Sequence, residues 1–199
     1  MLENLLDRKL QVKTAGLREW RTQTGEYNRY EATPYAALEK LFEHYKIKPD
    51  HHVVDFGCGR GRVSFYIHFH HNVPVTGVEN NDLTFDESQK NLLLYSRKHK
   101  HLTAPIRFEF GLAEHYEIQP EENVFYFFNP FSVNIFKQVV RNILRSVEEH
   151  ERSVDMILYY PLPEFKKFLK KETPFRLINK IKAYPKHGKY GKFLIYRLD

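Results

Sequence analysis

Two hydrophobic periods alternate along most of the chain. A short apolar run at residues 52–56 (HVVDF) ends in a glycine turn and predicts a buried parallel strand. Residues 63–69 fit a helix, 73–79 (VPVTGVE) a second strand, and 83–100 a long helix. Residues 106–110 alternate as a third strand, 124–128 (VFYFF) form a dense fourth, and 135–147 are amphipathic. A fifth strand at 156–160 (MILYY) is stopped by Pro161, and a short helix is predicted over 163–169. Two β-rich runs, 175–184 and 192–198, flank PKHGKYG and predict a terminal hairpin.

Upstream, Thr33 and Pro34 read as the N-cap and first residue of a helix to about residue 45, with Tyr35, Leu38, Leu41 and Phe42 on one face. Residues 1–32 are polar and helix-prone, with Leu2, Leu5, Leu6 and Leu10 at helical spacing, and predict a helical appendage to a domain spanning 33–199. Strands alternating with helices predict an α/β class: a doubly wound, mostly parallel seven-stranded sheet with an antiparallel terminal hairpin strand. Ligands in such folds bind at the carboxyl ends of the strands, near the topological switch point.

Composition narrows the setting. The 199 residues suit one domain with a full core. No stretch approaches the roughly 20 apolar residues that span a bilayer, which predicts no membrane partner. The first residues lack a signal-peptide pattern and Cys58 is the single cysteine, so a cytoplasmic protein is expected. His51, His52, His68, His70 and His71 are numerous, but no Cys or Asp cluster accompanies them, so no metal is expected.

Charge is unevenly placed. Residues 165–197 carry eleven Lys or Arg against the single acid Glu172, leaving 20 basic against 24 acidic residues elsewhere. Such a basic end suits an anionic partner: a nucleic acid, an acidic protein surface or an acidic small molecule. A solvated lysine-rich face explains the same pattern.

The candidate chemistry starts at Asp55-Phe56-Gly57-Cys58-Gly59-Arg60-Gly61, where three of nine glycines fall within five residues between a strand and a helix. Glycine there lets the backbone turn sharply and lets a ligand approach without a Cβ in the way. Glu79 closes the next strand, eighteen residues after Gly61, where a carboxylate can accept two hydrogen bonds from a ribose diol. In a nicotinamide-binding G-x-G-x-x-G turn the third glycine would stand at Arg62. The acid two residues before the first glycine would repel a pyrophosphate but can hydrogen-bond a cationic amino group.

The pattern D-x-G-x-G-x-G, with an acid closing the second strand, resembles the cofactor motif of class I S-adenosylmethionine-dependent methyltransferases over residues 30–199. The resemblance implies S-adenosyl-L-methionine as cofactor and a methyltransferase activity. It places Gly57, Gly59 and Gly61 along the methionine and ribose moieties, Asp55 near the amino group, Glu79 on the ribose hydroxyls and Asn80 near adenine. The acid this family often carries after the third strand is absent, or displaced to Glu114, leaving Leu112 and Ala113 as adenine neighbours. A non-catalytic binding or scaffold protein with the same fold is the alternative.

After the fourth strand, Asn129-Pro130-Phe131 resembles a shortened form of the Asn-Pro-Pro-aromatic motif of methyltransferases acting on amino nitrogens. The resemblance implies that Asn129, Pro130 and Phe131 hold and orient the acceptor. A proline turn capped by Asn129 accounts for the same residues. Tyr30 to Tyr35, around Thr33-Pro34, resembles an aromatic element that closes over the methionine end of the cofactor in several protein-lysine methyltransferases. Glu114, His115 and Glu117 are nominal bases, needed only for a hydroxyl or a protonated amine. Tyr184, Lys186, His187, Lys189 and Tyr190 in the last turn suit a phosphate backbone with bases to stack on.

Overall fold

A computed structural model describes residues 2–16, 25–28, 31–183 and 191–199. Its elements begin with α1 (Leu2–Leu10), α2 (Tyr35–His44), β1 (Val53–Phe56), α3 (Arg62–His71), β2 (Val75–Glu79), α4 (Asp82–Lys98) and β3 (Ile106–Phe110). They continue with β4 (Val124–Phe128), α5 (Val133–Glu149), β5 (Val154–Tyr159), α6 (Pro163–Glu172), β6 (Arg176–Lys182) and β7 (Lys192–Leu198).

The seven strands run in the order β3-β2-β1-β4-β5-β7-β6. Strands β1 to β5 pair in parallel, and β7 runs antiparallel to both β5 and β6. The chain winds outward from β1 through β2 to β3, then returns to place β4 on the other side of β1. The crevice at the carboxyl ends of β1 and β4 is therefore the topological switch point.

Burial explains the strand sequences. β1, β2 and β5 are buried at every residue because helices cover both faces, whereas the edge strands β3 and β6 alternate or lie open. Side chains alternate between two cores. Val53, Val75, Tyr126, Ile157 and Ile195 pack under α2, α3 and Tyr95 of α4. Val54, Phe56, Phe125, Phe127 and Leu158 pack under α5 and α6. In α5 the buried residues Ile135, Phe136, Val139, Val140 and Ile143 form one stripe, and Phe136 stacks on Phe165 of α6 at 4.0 Å. Each such side chain contributes about 1.5–3 kcal/mol. Asp155 holds β7 in register, accepting both Nε and Nη2 of Arg197 directly opposite at 2.7 and 2.8 Å.

The expected appendage is bound tightly to the sheet domain. Leu10 and Val12 join the core beneath α2 and α3. Asp7, almost fully buried, accepts the Thr14 and Ala15 backbone N–H groups and the hydroxyls of Thr14 and Tyr35. Helix α2 begins at Tyr35, with Pro34 rather than Thr33 at its N-cap position. The Thr33 hydroxyl instead pairs with the Tyr126 hydroxyl at 2.8 Å, and Glu3 of α1 accepts the Tyr35 N–H at 3.1 Å. The cap thus comes from another helix. No helix of the described residues is long and apolar enough to cross a membrane.

Candidate cofactor cleft and acceptor motif

The glycine turn closes β1 with three residues at positive φ: Gly57 at 70°, Gly59 at 55° and Gly61 at 86°. They do different work. A Cβ on Gly57 would overlap the Cβ of Pro130, so its bare backbone admits the post-β4 motif to the cleft wall. A Cβ on Gly61 would lie 2.6 Å from the Phe108 ring and 2.8 Å from Phe65, so this glycine serves packing between α3 and the sheet. Gly59 donates its N–H to Glu79 Oε2 at 2.7 Å.

Glu79 is the hub. It is 6% exposed, and its other oxygen accepts the Asn81 N–H at 2.9 Å. Burial raises its pKa, opposed by the backbone N–H groups of Asn81, Gly59 and Asn80. Both carboxylate oxygens are thus held by donors of the protein, with the Thr84 side chain a further one. Asp55 lies deeper in β1, bonded by the Ser64 hydroxyl at 2.7 Å, and burial pushes its pKa up to about 7.

A narrow cleft opens at the carboxyl ends of β1, β2 and β4. Of the residues expected on the cofactor, Gly57, Glu79, Asn80 and Ala113 line it, as do Pro130 and Phe131. Asp55, Gly59 and Gly61 stand behind the wall, and Leu112 points away, 39% exposed.

Asn129 falls between the lining residues Phe128 and Pro130, in a left-handed conformation with φ at 41°. Its side-chain Oδ1 is enclosed and has no hydrogen-bond donor among the described residues. A buried amide oxygen without a partner costs about 1–3 kcal/mol. The capping reading of Asn129 needs a backbone donor to that oxygen, and among the described residues there is none.

The sequence did not point to Tyr27 and Asn28, which line the same cleft together with Glu31 of the expected 30–35 element. Tyr27 forms an antiparallel bridge with Phe131, and their rings meet edge to face at 5.9 Å. Asn28 donates its N–H to the Pro130 carbonyl at 3.0 Å and its side-chain amide to the Asn129 carbonyl at 2.8 Å. The Tyr27 hydroxyl donates to Glu114, whose carboxylate is thereby engaged. Phe131 is fully buried beneath this segment. Such a bridge joins residues about a hundred positions apart in a polar stretch, and no local pattern marks it. Tyr35 is a core residue bound to Asp7, whereas Tyr30 lies outside the described residues.

Arginines of the glycine turn tie the amino-terminal segment down. Arg60 bonds Glu87 at 2.7 Å and the Ala15 carbonyl at 2.7 Å. Arg62 is buried, bonds Thr14 at 2.7 Å, pairs with Glu3 and stacks over the Tyr35 ring at 4.5 Å. This explains why an arginine stands where a nicotinamide-binding turn would need glycine.

No protein-family model matches the chain, and no curated protein sequence does. Solved structures do match. The N-terminal domain of human METTL16, in complex with SAH, superposes with a TM-score of 0.59 over 97% of this chain and 77% of that one, at 13% identity. The fold is that of the class I S-adenosylmethionine-dependent methyltransferases. An RNA methyltransferase from Salinibacter ruber, in complex with S-adenosyl-L-homocysteine, matches 84% of this chain and 92% of its own, with TM-score 0.53 and 16% identity. A tRNA (uracil-54, C5)-methyltransferase of Pyrococcus abyssi matches with TM-score 0.54 and 13% identity over 81% of this chain, which spans 37% of that longer protein.

Among the described residues no group of three or more His, Cys, Asp or Glu is placed to hold a metal ion. His68, one of the five clustered histidines, is occupied in the core by the Tyr95 hydroxyl and the Ala104 carbonyl at 2.7 and 2.8 Å. Cys58 is buried, and burial raises its thiol pKa well above the usual value.

Proposed function

We propose that this protein is a methyltransferase that uses S-adenosyl-L-methionine to methylate an amino nitrogen of a nucleic acid. The observation that carries the reading is the unpartnered Oδ1 of Asn129, a residue set between Phe128 and Pro130, which line a cleft together with Glu79 and Gly57. The likeness to an RNA methyltransferase and a tRNA methyltransferase supports the nucleic-acid part of it, and a cytosolic setting suits the single buried Cys58.

The residues present fit the cofactor. Glu79 would accept the ribose hydroxyls, Gly57 would let the methionine moiety lie against the backbone, and Asn80 and Ala113 would flank adenine. Asp55 would act on the amino group through water, since it stands behind the wall. When bound, the cofactor supplies a methyl group on a cationic sulfur.

The protein's own work is to hold the acceptor and keep the site dry. Asn129 Oδ1 accepts one N–H of a planar amine, and the remaining lone pair of the Pro130 carbonyl accepts the other, so the nitrogen lone pair turns toward the methyl group. Positioning of this kind is worth several kcal/mol and needs no base for an amine that is already neutral. Consistent with that, Glu114, His115 and Glu117 do not line the cleft. Tyr27 and Asn28 cover the motif and exclude water, leaving Phe131 as a support rather than an open stacking surface.

Nucleoside analysis of RNA and DNA incubated with protein and cofactor tests the acceptor. Methyl on the exocyclic nitrogen of adenosine, guanosine or cytidine is the expected product. Methyl only on ring carbon or ribose oxygen contradicts it.

A further inference from the structure

Helix α6 packs beside α5, and the mostly exposed edge strand β6 is left open next to it, which makes a groove separate from the cofactor cleft. Its floor is apolar, built from Phe175, Leu194 and Tyr196 with exposed Leu177. Lys166 and Lys170 of α6 form one bank, and Arg176, Lys180 and Lys192 continue along β6 and β7; no carboxylate lines it. Arg176 is paired with Asp199 at 2.6 Å. The side chains of Lys166, Lys170 and Lys180 make no ion pair among the described residues.

The groove has a direction. Arg176 starts β6 at the far end, and Lys192 sits at the carboxyl edge, where its carbonyl accepts the Tyr160 N–H at 3.1 Å. The Tyr160 ring lies 6.5 Å from Phe128, which lines the cofactor cleft. Between β6 and β4 lie two strands, so the two sites are about 14 Å apart at ordinary strand spacing.

We propose that this groove binds the sugar–phosphate backbone of the substrate nucleic acid and delivers a neighbouring base to the cleft. Charge complementarity selects this occupant. The α6 lysines stand one helical turn apart, about 6 Å, and the row continues along β6 to Lys180, with the Asp199 carboxylate beside Arg176 at its far end. A continuous polyanion matches such a row, whereas a protein surface offers scattered carboxylates among its own cations. The apolar floor suits the sugar and base faces that a single strand leaves uncovered.

The inference rests on the nucleic-acid reading of the acceptor, and binding separates the two. Anisotropy of a short fluorescein-labelled single-stranded RNA would be titrated with wild type, with K166E/K170E/K180E, and with K90E/K98E/K100E as a control of equal charge on α4 and the turn after it. The groove variant is expected to bind at least about tenfold more weakly, and its log–log salt slope to fall by about 2. The control should stay near wild type, and cofactor binding by calorimetry should be unchanged in both.

Equal losses in both variants, no loss in either, or no RNA binding by wild type would overturn the groove. In those cases the lysines serve only to keep the sheet edge from pairing with another chain. Wild type binding polyglutamate as tightly as RNA would overturn it in favour of an acidic protein partner. Groove-dependent RNA binding without cofactor binding would leave the groove standing and sink the methyltransferase reading instead.

Discussion

Glu79 Oε2 accepts the Gly59 N–H at 2.7 Å, so the acid that closes β2 is fixed by the turn that closes β1. The same carboxylate holds the Asn81 N–H at the start of α4. Two loops that must meet the cofactor are thereby locked to one side chain. Glu79→Ala strips both N–H groups of their acceptor, and charge-assisted bonds of this kind are worth about 1.5–3 kcal/mol each. Calorimetry should show cofactor affinity lowered by at least about a hundredfold. Glu79→Gln keeps one acceptor oxygen and should fall between.

Arg62 predicts a stability effect far from the chemistry. Its guanidinium is buried against Glu3, Asp7, Thr14 and the Tyr35 ring. Removing one partner of such a set leaves charge uncompensated and typically costs about 3–5 kcal/mol. Arg62→Ala should lower the urea midpoint and make the first residues an early site of proteolysis. An unchanged midpoint would mean the amino-terminal segment is only loosely attached.

Asp55 predicts a pH dependence. Burial raises its pKa from 3.8 to about 7, so the folded protein retains a proton that the unfolded chain gives up. Its contribution to stability therefore declines as pH rises between those two values. A cationic amino group nearby favours the carboxylate, so cofactor binding should release a proton and tighten as pH rises through about 7. Calorimetry in buffers of different ionisation enthalpy measures that proton. Asp55→Asn should abolish the release; release that persists would assign it to another group.

Asn129 separates chemistry from cofactor binding. Asn129→Ala removes the oxygen proposed to hold the acceptor while leaving Gly57 and Glu79 in place. The expected result is kcat down about a hundredfold with the cofactor Kd near wild type, the penalty of a mispositioned nucleophile. Equal losses in both would make Asn129 a cofactor ligand.

Much of this architecture was legible in the chain. The apolar runs that became β1, β3 and β4 stand where the periodicity put them, because a strand buried on both faces, or alternating at an edge, leaves a pattern within five residues. Glu79 was legible because an acid closing the strand after a glycine turn has a fixed spatial relation to it. The separate duties of the three glycines were not. Gly61 answers to Phe108, more than forty residues away, and only packing distinguishes it from Gly57. Nor was the cover formed by Tyr27 and Asn28, whose bonds run to Pro130 and Asn129 across the whole domain. The expected loop residues Tyr184, Lys186, His187, Lys189 and Tyr190 lie outside the described residues, although Ala183 and Gly191 on either side pair at the carboxyl edge.

The most direct measurement is transfer of labelled methyl from S-adenosyl-L-methionine into a cell lysate by the purified protein, followed by separate nuclease and protease digestion. The account predicts macromolecular label that becomes small after nuclease and is indifferent to protease. Label that survives nuclease, or none at all, would contradict it.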